Sequence, residues 1–122
     1  MNTIDILGEE ETFRNIVERT ITEFEDSEIE VIGNYAFYSC SALTSVSFPV
    51  ATSIGNSAFS SCSALTTMYI GTESDTVCTL SKTNAIPSSV TDIYVPEALV
   101  ESYKTATNWS NFADKIKAYT GV

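Results

Sequence analysis

The chain has 122 residues and a formal net charge of −10, from 16 acidic against 6 basic residues. That length holds one domain with a buried core. A field of that sign repels phosphate backbones and anionic lipid surfaces, so nucleic-acid binding is not expected; no stretch approaches the roughly 18 to 20 apolar residues that span a bilayer, so membrane insertion is not expected either. Histidine is absent altogether, which removes the commonest general base and zinc ligand and the usual partner of a Ser or Cys nucleophile.

At the N-terminus, Phe13, Ile16 and Val17 fall at helical spacing after the acids Glu9, Glu10 and Glu11. Acids in a first turn suit the helix dipole, so the pattern predicts a short amphipathic helix over the first strand. Met1 to Asp5 show neither the basic region nor the apolar run of a secretory signal peptide.

Self-comparison organises the middle of the chain. Residues 32–45 read IGNYAFYSCSALTS and residues 54–67 read IGNSAFSSCSALTT, identical at 11 of 14 positions. Leu43, Val46 and Phe48 pair with Leu65, Met68 and Ile70; Ile21 and Phe24 pair backwards with Leu43 and Val46. Val90 to Val95 repeats the pattern once more, at an offset of 25 residues from Leu65 to Val90. The spacing predicts about four stacked strands, near 20–25, 43–48, 65–70 and 90–95, with alternate residues inward. Val77, Cys78 and Leu80 fit an irregular turn or an extra short strand.

Within each unit, Ile32, Ala36 and Phe37, then Ile54, Ala58 and Phe59, supply the back wall of the core. Cys40 and Cys62 occupy one column and read as a packing ladder of buried thiols. With Cys78 the cysteine count is odd, which argues against a disulfide framework. Gly33 and Gly55 sit where the chain turns with little room, and the many serines suit turns.

After the last strand, Pro96 suits a first helical position. Leu99, Val100 and Tyr103 share a face, and Phe112, Ile116 and Tyr119 suggest a second short helix. Trp109 reads as an anchor between them. The expected organisation is a single domain, 1–122, with an N-terminal cap over 1–19, repeats over 20–95 and a C-terminal helical cap over 96–122.

The unit I-G-x-x-A-F-x-x-C-x-x-L-x-x-V-x-F-P, at Ile32 to Pro49 and again with Gly71 in place of the proline, resembles the BspA-like (treponemal-type) leucine-rich repeat. The stretch from Ile93 through Trp109 to Ile116 resembles the segment that often closes such repeats. The resemblance implies an α/β repeat solenoid: a short right-handed stack with irregular turns between helical caps. It also implies a cell-surface, secreted or virion-associated location and a role in adhesion, in bacterial or phage-encoded proteins.

Outward strand positions form two columns: Thr22, Thr44, Thr66 and Thr91, and Glu25, Ser47, Tyr69 and Tyr94. The threonines read as structural cross-strand neighbours. Exposed tyrosines offer large contact area at small entropic cost, so Tyr69 and Tyr94, with Ser47 and an acidic rim of Glu23 and Glu25, form the candidate binding face. No catalytic residue, cofactor or metal is expected. The carboxylate pairs Glu23/Glu25 and Glu73/Asp75 lie in polar surroundings that would not separate an acid from a base, and Gly71 to Asp75 has too few ligands for calcium. Asn108-Trp109-Ser110 matches a glycosylation sequon, a short pattern common by chance. The expected function is a non-enzymatic module that binds a protein or glycan; the alternative is a structural accessory or spacer of a phage particle or larger surface protein.

Overall fold

The computed structural model describes the backbone of residues 2–4 and all of residues 22–120. The expected N-terminal helix over residues 12–18 lies outside the described residues.

Among the described residues, nine short strands form two parallel sheets. The first contains β1 (Asn2–Ile4), β3 (Ile29–Ile32), β5 (Ser53–Ile54) and β7 (Thr79–Leu80), in that order. The second contains β2 (Glu23–Glu25), β4 (Ser45–Phe48), β6 (Thr67–Ile70), β8 (Asp92–Pro96) and β9 (Ile116–Tyr119). The chain alternates between sheets up to β8, so each strand from β1 to β6 pairs with the one two places on, while β8 pairs with β9. The stack is open. Among the described residues the only α-helix is α1 (Val100–Thr105), six residues long.

The 22-residue period appears directly in the register: Val46 faces Met68 and Ser47 faces Tyr69. Period-two alternation then buries Val46, Phe48, Met68 and Ile70 and leaves Ser45, Ser47, Thr67 and Tyr69 half-exposed. The first sheet supplies Ile32, Ile54 and Leu80 from across the core. The Phe37 and Phe59 rings stack at 5.2 Å, nearly parallel. Pairs of this kind contribute about 0.5–1.5 kcal/mol beyond area burial. Cys40, Cys62 and Cys78 are buried thiols; the Cys62 thiol donates to the Phe37 carbonyl at 2.9 Å, binding one coil to the next.

Turns repeat as faithfully as strands. Tyr35 and Ser57 hold φ of 61° and 57°, and Ser39 and Ser61 hold 61° and 63°. Left-handed conformations are uncommon outside glycine. Their recurrence one repeat apart makes them part of the coil, held by bonds such as Tyr35 N–H to the Asn56 carbonyl at 3.0 Å. The threonine column is structural: each threonine carbonyl accepts the next threonine's N–H, at 2.6 Å for Thr22 and 2.9 Å for Thr44 and Thr66.

Two expectations need correction. The spacing of Phe112, Ile116 and Tyr119 predicts a helix. Instead, a 3₁₀ segment covers Trp109–Lys115, with Phe112 at non-helical φ −118° and ψ 19°. Residues Ile116–Tyr119 then form β9, parallel to β8. The edge of β8 offers unpaired backbone groups, and pairing there satisfies a segment too short to hold a helix by itself. Pro96 is the last residue of β8, extended at ψ 138°, and precedes a 3₁₀ turn over Glu97–Leu99. The first sheet adds a further finding: its strands are only two to four residues long. The sequence marks Ile32 and Ile54 as apolar back-wall positions, and of the two alternatives for residues 77–80 the extra short strand is the one that forms, at Thr79–Leu80.

Past β7 the first sheet has no further strand among the described residues. Side chains from the C-terminal segment meet its edge instead. Cys78 N–H donates to the Tyr103 hydroxyl at 2.8 Å, and the Trp109 indole N–H donates to the Cys78 carbonyl at 2.6 Å. The Asn108 amide donates to the Leu80 carbonyl at 2.7 Å. Trp109 and Tyr103 are buried, packed edge to face.

Candidate functional site

The outward face of the second sheet carries two aligned columns. One runs Glu23, Ser45, Thr67, Asp92; the other runs Glu25, Ser47, Tyr69, Tyr94, Lys117. The register therefore brings all five expected residues, Tyr69, Tyr94, Ser47, Glu25 and Glu23, onto one surface. Glu23, Phe24, Glu25, Ser45, Ser47 and Tyr69 line an open groove of about 550 Å³.

Side-chain size shapes that groove. Serines at 45 and 47 place short hydroxyls on β4, while β2 carries two exposed carboxylates and β6 a tyrosine. A small residue between larger ones makes a trough. Strands lie about 4.8 Å apart, so the backbones that carry Glu25 and Tyr69, two strands apart in one column, are roughly 9.6 Å apart across Ser47.

The aromatic wall is larger than the sequence indicates. Tyr69 stacks on Tyr94 with ring centres 5.0 Å apart and planes inclined by 14°. Tyr119 meets Tyr69 edge-on at 5.9 Å and helps line a second hollow with Glu25, Ser47, Pro49 and Glu73. Stacked on Tyr94, Tyr69 lines the groove together with Ser47. Ser45 and Thr67 are also part of the face and are legible as the alternate outward positions. Tyr119 is hidden by the helical spacing of its segment.

Beyond the tyrosines, Lys117 pairs with Asp92. The hydrogen bond from Lys117 holds the Asp92 carboxyl below its ordinary range, and the same bond raises the lysine. Among the described residues no cation pairs with Glu23 or Glu25, no group of three or more potential ligands is placed to hold a metal, and no helix is long and apolar enough to cross a membrane. Glu73 and Asp75 are exposed in a turn. Asn108 of the sequon has its amide engaged with the Leu80 carbonyl.

Such a face, carried on parallel strands at a 22-residue period, defines a repeat protein of the leucine-rich class. The family model described as BspA type leucine rich repeat region matches residues 9–108 in 6 copies, and the chain belongs to that family. A search of curated proteins finds no match. Membership implies a protein-interaction type of module; the family is typically non-enzymatic and often surface-associated.

Proposed function

We propose that this chain is a non-enzymatic recognition module that binds a protein or glycan through the outer face of its second sheet, in an adhesion-type role. The observation that carries the reading is the cluster of Tyr69, Tyr94 and Tyr119 beside a hydroxyl-floored groove. Aromatic rings of this kind concentrate at interfaces because they add contact area with little rotamer entropy to lose. The reading includes a right-handed stack, the hand that parallel crossovers almost always take. It also includes one domain closed at both ends, and a bacterial or phage protein displayed on a cell surface, secreted or carried on a virion.

The test is binding of the labelled protein to whole bacterial and epithelial cells, beside the Tyr69→Ala/Tyr94→Ala variant. Saturable binding that the variant loses supports the reading. Equal binding by the variant removes the site from this face.

One observation favours a second reading, a structural accessory or spacer. β9 ends its sheet among the described residues, and an open strand edge is a template for another chain. This reading expects self-association or stable attachment to a larger protein. Sedimentation as a monomer at high concentration, with no attachment partner recovered, counts against it.

A further inference from the structure

We infer that the groove between the Glu23/Glu25 end and the Tyr69 ring takes an arginine side chain from an extended basic segment of a partner protein. The inference rests on the recognition reading and narrows it to one chemistry.

Three features of the groove converge on a guanidinium. The first is the wall of Tyr69, which is stacked on Tyr94 and lines the trough. A ring braced in this way is a fixed platform for a planar cation, which stacks on its negative face. The second is the pair of exposed carboxylates opposite, Glu23 and Glu25, which no cation of the described residues neutralises. A guanidinium can offer its forked donors to a carboxylate while its plane rests on an aromatic ring; an ammonium offers only a point charge. The third is the floor, where Ser45, Ser47 and Thr67 supply hydroxyl acceptors for the remaining N–H groups.

Charge complementarity decides the occupant. The chain carries a net −10, and Asp26 and Glu28 continue the acidic end beside Glu25. Lys117, at the far end of the same column, is already paired with Asp92. A basic segment is steered to this end of the sheet, and an acidic one is repelled. A neutral glycan would find the tyrosine and the hydroxyls but would leave the two carboxylates without a counter-charge.

The experiment is an amide NMR titration of the isotope-labelled protein at physiological ionic strength. Four probes are compared: alternating arginine–serine, lysine–serine and glutamate–serine octapeptides, and a neutral N-acetylglucosamine oligosaccharide. The expected result is saturable shifts of the Ser45, Ser47 and Tyr69 amides with the arginine peptide. The lysine peptide binds more weakly and the glutamate peptide does not bind. Glu23→Gln/Glu25→Gln weakens the arginine peptide by about tenfold or more. Glu101→Gln/Asp114→Asn removes the same charge from residues that do not line the groove and leaves binding unchanged.

Equal weakening by the two charge variants, or shifts spread away from this face, would overturn the inference by reducing it to general attraction. Oligosaccharide shifts at these amides without arginine-peptide shifts would also overturn it, while leaving the recognition face standing. If neither probe shifts these amides and cell binding ignores the tyrosine variant, both readings fall.

Discussion

The Trp109 indole N–H donates to the Cys78 carbonyl at 2.6 Å, one residue ahead of the last strand of the first sheet. That carbonyl would otherwise face an edge with no further strand among the described residues. With Tyr103 on the Cys78 N–H and Asn108 on the Leu80 carbonyl, three side chains take the bonds that a next strand would make. Buried backbone groups left unpaired cost about 1–3 kcal/mol each. Trp109→Phe keeps most of the ring but loses the donor, and should lower unfolding free energy by about 1–3 kcal/mol in urea denaturation. Trp109→Ala empties the site as well and should cost about 3–5 kcal/mol.

The repeat tolerates no side chain at Gly55. A Cβ there would lie 2.6 Å from both the backbone N and the Oδ1 of Asn34, one repeat back, and 2.7 Å from the Gly33 carbonyl carbon. Asn34 itself is fixed, since its Oδ1 accepts the Asn56 N–H at 2.7 Å. Gly55→Ala must therefore push two coils apart. Thermal unfolding should show a loss of about 1–3 kcal/mol, the usual range for overpacking. An unchanged midpoint would mean the coils are more loosely packed than described.

Alkaline stability depends on Cys78 and Tyr103. Burial pushes the Cys78 thiol from 9.0 up to about 12, and burial likewise pushes the Tyr103 hydroxyl from 10.0 up to about 12. In each case the folded value lies above the unfolded one, so the unfolded chain loses its proton first. The linked stability is whole below about pH 9 and drains away as pH climbs toward 12. Cys78 alone corresponds to about 4 kcal/mol by the upper end of that window. Denaturation midpoints measured from pH 8 to pH 12 should fall steadily, and Cys78→Ala should flatten the curve.

The sequence disclosed the parts of the structure that repeat. Identity between 32–45 and 54–67 set the period, and alternation in Ser45–Phe48 and Thr67–Ile70 placed Ser47 and Tyr69 outward, side by side. Glu23 and Glu25 fell into line by the same offset. What the sequence hid is local competition at places where the repeat ends. Phe112, Ile116 and Tyr119 satisfy helical spacing, but the waiting edge of β8 outweighs the weak propensity of so short a segment. Tyr119 therefore joins the face from a strand where the spacing pointed to a helix. The first sheet was obscure for another reason: two residues, as in Ser53–Ile54, give too short a run for alternation to show.

Two exposed or half-exposed tyrosine pairs allow a direct test of where recognition sits. Tyr69 and Tyr94 stack on the sheet face, while Tyr35 and Tyr38 pack edge-on at 5.6 Å in a turn of the first full repeat. The decisive measurement compares saturable cell binding by Tyr69→Ala/Tyr94→Ala and Tyr35→Ala/Tyr38→Ala, each checked for native circular dichroism. Recognition by the sheet face predicts that the first variant loses binding and the second keeps it. The reverse pattern would contradict it and move the site from the sheet to the turns.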